Sequence, residues 1–391
     1  MSKKQIINLG VHPFADTFIS KEQQGNSEPI YPLVCYQDKE TGLVKLKYKT
    51  KPSDRYNLYD YSYTSSNSSF SRNYWQSYAI EVSKKLNINK SIKIVEIGSN
   101  DGYLAKQFQK KGHNVLGIDS SSYISEIANK SGINTHCGIF NKKLSKHIKE
   151  GYGSMDLIIA NNVFNHANDP LDFAYGIKNL LSPEGTFVFE VPYWYNTIVD
   201  ERFDQIYHEH VSYFTVLASV NLLKKVGLTV YDVDLVDYHG GSIRVYSKIN
   251  PSKISSKVSD FITKEKSEGL FEQQRYNIFM NKIKNKRNLF LKKIYTLLEN
   301  KKHIVGVGAA AKGNTFLNFY NLDNTIIDYI TDTSEHKIGK YTPLTRIPIV
   351  EDKILAKYDE VYVIILSWNI SDMIKDKLKS INNNITFLEL N

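Results

Sequence analysis

A chain of 391 residues is too long for one ordinary domain, so two or three are expected. With 41% hydrophobic and 12% aromatic residues it can bury real cores, which excludes a globally disordered chain. The net charge of +9 comes mostly from dispersed lysines and suits small anionic ligands as well as nucleic acid, for which no basic arm or arginine-rich groove is present.

Residues 1–72 are loop-rich and aromatic, with short strands expected at 31–35 and 42–47 around a D-K-E-T-G turn. Y-D-Y-S-Y-T-S-S-N-S-S, at 59–69, reads either as an edge strand entering a loop or as a tyrosine-lined lid. Trp75, Ala79, Val82 and Leu86 predict a helix over 73–90. Strands at 92–97, 114–119, 132–138, 155–163 and 185–192 alternate with helices near 104–111, 124–128 and 173–181. That alternation predicts a parallel sheet covered by helices on both faces. A helix at 219–228 and a closing antiparallel pair around His239-Gly240-Gly241 complete this unit. Residues 252–300 are densely charged, with Phe279, Ile283, Phe290, Ile294 and Leu297 on one stripe, and predict a helical connector. A βα pattern then restarts. The domains expected are 1–72, 73–250, 251–300 and 301–391.

The two cysteines, Cys35 and Cys137, exclude a disulfide framework and a four-cysteine metal site. No run approaches a membrane span, and the N-terminus has no signal core, so a cytoplasmic protein is expected.

The first glycine turn, Glu96-Ile-Gly98-Ser-Asn100-Asp101-Gly102, follows a strand and opens a helix. Asp119 closes the next strand, where an acid can accept the hydroxyls of a ribose. A dinucleotide and S-adenosylmethionine (SAM) both suit such a turn. Carboxylates at Glu96 and Asp101 would repel a pyrophosphate but favour the ammonium and sulfonium of SAM. The candidates for holding SAM are therefore Glu96, Gly98, Asn100, Asp101, Gly102, Asp119 and, at the end of the fourth strand, Asn161. The second turn, Gly306-Val-Gly308-Ala-Ala-Ala-Lys312-Gly313, resembles a dinucleotide fingerprint with Ala for the last Gly, and Asp332 fits the acidic ribose position.

F-D-Q-I-Y-H-E-H-V-S-Y-F, at 203–214, packs two imidazoles, a carboxylate and two phenols into eight residues. Proton transfer, metal binding and a polar surface turn all fit that composition. Metal binding is disfavoured, because His208 and His210 share a face only on a strand and no third ligand is apparent. The stretch follows the fifth strand, which puts it at the ligand-binding edge of a doubly wound sheet.

These motifs together resemble the SAM-dependent sugar C-methyltransferases of deoxysugar biosynthesis. The resemblance runs through L-G-V-H-P-F-A-D-T-F (9–18), Y-S-Y-T-S-S-N-S-S (61–69), V-E-I-G-S-N-D-G-Y-L (95–104) and N-V-F-N-H (162–166). It continues in E-V-P-Y (190–193), Y-H-E-H, H-G-G-S-I-R (239–244), G-V-G-A-A-A-K-G-N-T (306–315) and K-I-G-K-Y-T-P (337–343).

The resemblance implies an α/β architecture: a central Rossmann-like methyltransferase domain, a small N-terminal module, and a C-terminal Rossmann-like domain that helps hold a nucleotide sugar and carries no redox cofactor. It implies a nucleotide-diphosphate sugar as substrate and no nucleic acid, membrane or protein partner. A thymidine-diphosphate 4-keto-6-deoxyhexose methylated at C3 is the family's usual case. His210 is then the base. Glu209 orients it or holds a sugar hydroxyl, and Tyr207, Tyr63 and His166 match positions that line the site. His239, Gly240, Lys312 and Asn314 are candidate substrate contacts. For Tyr63 packing, and for His166 helix capping, remain the plain alternatives. Members usually carry four zinc-binding cysteines near the N-terminus. Here only Cys35 remains, so zinc is not expected. An O- or N-methyltransferase, and a non-catalytic nucleotide-binding module, are the competing functions.

Overall fold

The computed structural model describes residues 4–51, 64–66 and 68–389, so Tyr63 and most of the tyrosine-rich stretch lie outside the described residues. Strands β1 (Gln5–Pro13), β2 (Ile30–Gln37) and β3 (Val44–Leu46) pair antiparallel in the N-terminal module. β1 is not among the strands the sequence predicts. Its apolar residues alternate irregularly, and its pairing with β2 shifts register twice. Cys35 is fully buried within β2.

Helix α1 (Ser69–Lys85) opens on Ser68, whose hydroxyl accepts the Ser71 N–H, and it buries Trp75, Tyr78, Ala79 and Val82. The alternating unit follows as β4 (Lys93–Ile97), α2 (Tyr103–Gln109), β5 (Asn114–Asp119), α3 (Ser122–Lys130), β6 (Thr135–Cys137), α4 (Lys142–Tyr152), β7 (Met155–Asn161), α5 (Pro170–Leu180) and β8 (Leu181–Pro192). Helix α4 was not legible in the sequence, because its apolar stripe is little more than Leu144 and Ile148 among lysines. A short helix α6 (Trp194–Val199) then leads into the polar stretch. The end of that stretch, β9 (Ser212–Tyr213), pairs with β3 and so joins the N-terminal sheet. Helix α7 (Val216–Lys224) and strands β10 (Thr229–Val236) and β11 (Ser242–Lys248) finish the unit.

The central sheet has the order β6-β5-β4-β7-β8-β11-β10, and only β11 runs antiparallel to its neighbours. The chain runs outward from β4 in both directions. The carboxyl ends of β4 and β7 therefore flank a topological switch point, where doubly wound sheets bind ligands.

Helices α8 (Ser256–Ser267) and α9 (Gln273–Glu299) occupy the predicted connector. α9 is a spine. Its Phe279, Ile283, Phe290 and Ile294 are buried in one core with Leu33 and Val44 of the first sheet, Trp194, Phe203, and Phe316 and Tyr320 of the last domain. Each such side chain stabilises by roughly 1.5–3 kcal/mol, which ties the three parts into one body. The last domain comprises β12 (Ile304–Val307), α10 (Ala311–Tyr320), β13 (Ile330–Asp332), β14 (Ile349–Glu351), β15 (Val361–Ile365), α11 (Ser371–Ile381) and β16 (Ile385–Phe387). Its all-parallel sheet, β14-β13-β12-β15-β16, has its own switch point at the end of β12. No helix among the described residues is long and apolar enough to cross a membrane.

Candidate active site

One cavity of about 1160 Å³ is lined by both glycine turns, through Gly98, Ser99 and Asn100 and through Gly308, Ala310 and Ala311. Both turns require glycine. Gly98 has φ +69°, and a Cβ there would sit 2.9 Å from the Val163 side chain. Gly308 has φ +87°, and its Cβ would meet Ser367 Oγ at 2.3 Å.

Around the first turn, Glu96, Asp119 and Asn161 lie at the carboxyl ends of their strands, on the cavity wall. Burial, and secondarily the neighbouring Asp101, pushes the Glu96 carboxyl well above its ordinary range. Asp119 is also raised by burial, against hydrogen bonds from the Ser121 and Asn100 amides at 3.0 and 2.9 Å. Asn161 Oδ1 accepts the Tyr78 hydroxyl at 3.2 Å. Two of the expected contacts point elsewhere. Asp101 does not line the cavity; its carboxylate takes the Ser65 hydroxyl and the Ser66 amide, pinning that segment to the turn. Gly102 is the N-cap of α2 and also lies off the cavity wall.

The chemistry of this wall fits SAM. Glu96 Oε2, Ser99 Oγ, Asn161 Nδ2 and Asn162 Oδ1 are buried and have no hydrogen-bond partner among the described residues. Together they offer a carboxylate for an ammonium, and amide and hydroxyl groups for a carboxylate and a ribose. No group of three or more His, Cys, Asp or Glu side chains that could hold a metal is found among the described residues.

The Y-H-E-H stretch contributes Tyr207, Glu209 and His210 to the same cavity, and His166 faces His210 with ring centres 5.1 Å apart. His210 Nδ1 lies 3.0 Å from the Gln205 carbonyl oxygen. A carbonyl only accepts, so Nδ1 carries the proton, and neutral Nε2 accepts the Tyr207 hydroxyl at 2.7 Å. The ordinary imidazole pKa does not survive here. Burial, with Lys312 adding repulsion, lowers His210 to about 3, so the ring is neutral at physiological pH. Glu209 Oε1 accepts the Asp16 amide at 3.2 Å. His208 is outside the cavity, against Phe14 and Tyr31, with Nε2 3.2 Å from the Tyr31 carbonyl.

His239 and Lys312 also line the cavity, and the His239 carbonyl accepts Gln205 Nε2 at 3.0 Å. His239 is lowered to about 3 by burial, then by Lys312. Lys312 is lowered to about 8 by burial; its Nζ reaches Asn369 Oδ1 at 2.8 Å and lies 4.5 Å from the Trp368 ring centre. Gly240 and Asn314 are not on the wall. The Gly240 carbonyl takes a hydrogen bond from Arg202, and Asn314 Nδ2 donates to the Ala15 carbonyl at 2.6 Å, locking α10 onto the N-terminal module. Sequence reading missed Trp368, which donates to Asp204 at 2.5 Å and so ties the stretch at 203–214 to the last domain. It also missed Asp16. Trp368 opens a single 3₁₀ turn and Asp16 lies in a loop turn, with no periodicity to announce either.

The chain matches two protein families: one described as a methyltransferase domain, over residues 70–233, and one described as a C-methyltransferase C-terminal domain, over residues 237–388. It is 27% identical over 381 residues to the C-methyltransferase NovU of Streptomyces niveus, covering 97% of this chain and 90% of that protein. Over 99 residues it is 25% identical to a ubiquinone biosynthesis O-methyltransferase of Vibrio parahaemolyticus, covering 25% of this chain and 42% of that one. Among solved structures, the magnesium protoporphyrin IX methyltransferase of Synechocystis with bound SAH aligns with 12% identity and a TM-score of 0.37, over 45% of this chain and 82% of that one.

Proposed function

We propose that this chain, a SAM-dependent methyltransferase of the C-methyltransferase family, methylates the carbon beside the ketone of a nucleotide-linked keto-deoxysugar. A dTDP-4-keto-6-deoxyhexose methylated at C3 is the preferred candidate. The observation that carries this reading is the single cavity joining two switch-point glycine turns, with a neutral imidazole on its wall. Its volume exceeds the roughly 300–1,000 Å³ of an ordinary small-ligand pocket, which supports two ligands held side by side.

In this reading Glu96, Gly98, Asn100, Asp119 and Asn161 hold SAM, which supplies an electrophilic methyl group when bound. Lys312 and the amides following Gly308 hold the diphosphate, since a helix N-terminus and a buried ammonium both favour an anion. The domain boundaries 73–250 and 301–391 then separate the donor and nucleotide sites, with 1–72 closing one wall and 251–300 joining them.

A sugar C–H is not nucleophilic. An adjacent ketone makes its proton removable, and the resulting enolate carbon is the nucleophile that carbon methylation needs. His210 takes that proton on Nε2, where Gln205 already fixes the tautomer. Substrate entry displaces the Tyr207 hydroxyl from Nε2 and frees it, with His166, to donate to the enolate oxygen. A base lowered this far in the free protein is strengthened by the charge of a bound diphosphate and of a developing enolate, because both anions favour the imidazolium. Glu209 orients the sugar. Incubation with SAM and a panel of nucleotide keto sugars tests the reading. One added methyl on the ring carbon beside the ketone supports it. A methyl on oxygen or nitrogen, or none on any of the panel, overturns it.

A further inference from the structure

The motif at 9–18 has no part in the chemistry above, yet the structure brings one of its residues to the active cavity. β1 ends at Pro13, and the chain turns through Ala15 and Asp16. Asp16 lines the cavity and is only partly covered. Its amide donates to Glu209 Oε1 at 3.2 Å, so the turn sits directly beside the base-bearing stretch.

The turn is held from three sides. The Ala15 carbonyl accepts Asn314 Nδ2 at 2.6 Å, Thr17 Oγ1 donates to the Phe14 carbonyl at 2.9 Å, and Ile19 pairs with Tyr341 through bonds of 2.9 and 2.8 Å. The Asp16 carboxylate itself makes no hydrogen bond within the described residues. Lys337, whose charge acts on it, donates its own proton to the Ala309 carbonyl at 2.6 Å. An ionisable group held in a rigid wall, short of donors and beside a second carboxylate, is organised to accept hydrogen bonds from a ligand.

We infer that Asp16 is a substrate-contacting, specificity-determining residue whose carboxylate, with Glu209, receives a hydroxyl or amino substituent of the sugar ring. The inference rests on the nucleotide-sugar reading given above. A carboxylate accepts only, so the pair selects for a ring substituent that donates and against a deoxy or O-alkylated position. It also gives the N-terminal module a function that needs no metal: the module delivers one wall of the sugar site. The motif residues around Asp16 then serve to fix its turn.

Calorimetry on the SAH-saturated full chain tests this. The probes are a nucleoside diphosphate, chosen as the tightest binder among dTDP, UDP, CDP and GDP, and the same nucleotide carrying a 6-deoxyhexose. Asp16→Ala is expected to weaken the sugar nucleotide roughly 10- to 100-fold while leaving the bare diphosphate unchanged, the loss of a charge-assisted hydrogen bond. Asp16→Asn, which keeps an acceptor oxygen, should recover part of that loss. Equal weakening of both probes means that the turn acts only as scaffold, and unchanged binding of both means that Asp16 touches no sugar; either overturns the inference. Failure of the wild-type chain to bind any of the probes instead overturns the nucleotide-sugar reading, and this inference with it. A melting curve of each variant, near-superimposable with wild type, separates lost contact from lost fold.

Discussion

Replacing Glu96 by Gln isolates the electrostatic part of SAM binding. The sequence supplies three acids near the first turn, but the structure leaves one of them for a cation. Asp101 is committed to Ser65 and Ser66, and Asp119 to two backbone amides. Glu96 Oε2 is buried without a partner. A hydrogen bond to a charged group contributes about 1.5–3 kcal/mol, so Glu96→Gln should weaken SAM by roughly 10- to 150-fold. The fold itself should not suffer, because the substitution removes a carboxyl whose ionised form is disfavoured by burial.

The pH dependence has a definite sign. In the folded protein the Glu96 pKa is raised well above 4.5, so the folded chain holds that proton more tightly than the unfolded one. The stability this contributes is present at low pH and is lost as pH rises through the folded value. SAM needs the carboxylate. Its affinity should therefore rise with pH between the ordinary carboxyl value and the raised one, with up to one proton released per SAM bound. Titration calorimetry in two buffers of different ionisation enthalpy measures both quantities. A Gln variant that binds SAM within about twofold of wild type, or wild-type binding with no proton release in that window, would refute the assignment.

Two further outcomes follow from the same structure. Lys312 is lowered to about 8 by burial, so it loses its charge as pH rises through that value; affinity for a nucleoside diphosphate should fall over the same range, and Lys312→Met should abolish that pH dependence. Arg244 bridges buried Glu190 at 2.9 Å, Glu81 at 2.9 Å and the Tyr74 hydroxyl at 3.3 Å, so Arg244→Met strands a buried carboxylate. It should cost about 3–5 kcal/mol and lower the melting midpoint by about 6–20 °C in a thermal scan, with partial recovery on adding Glu190→Gln.

Much of the fold was legible because its signals are local and repeated. The nearly unbroken apolar run of β7 marks a strand buried on both faces, and the apolar spacing of Trp75, Ala79 and Val82 marks α1. Both glycine turns announce themselves by position between strand and helix. What stayed hidden depends on distant partners. That Asp101 faces a loop 35 residues upstream, rather than the ligand, is fixed by Ser65 and Ser66, which no spacing rule connects to it. Asn314 looks like an anion contact by its place in the turn, but tertiary packing spends its amide on Ala15. The two-residue strand β9 is too short for any periodicity, yet it stitches the Y-H-E-H stretch to the N-terminal sheet. His210 was legible as a residue and not as an acid–base group: only burial reveals that its imidazole is neutral and a weak base.

The claim that His210 removes a carbon-bound proton is tested most directly by solvent exchange without methyl transfer. The chain is loaded with SAH and a nucleotide keto sugar in heavy water, and the sugar is read by mass and proton NMR. Wild type should place one deuterium on the carbon beside the ketone. His210→Asn should slow that exchange by roughly 10²- to 10⁴-fold while binding SAM as tightly as wild type. Exchange at the wild-type rate in His210→Asn would contradict the account, as would a wild-type enzyme that methylates its sugar without ever exchanging that proton.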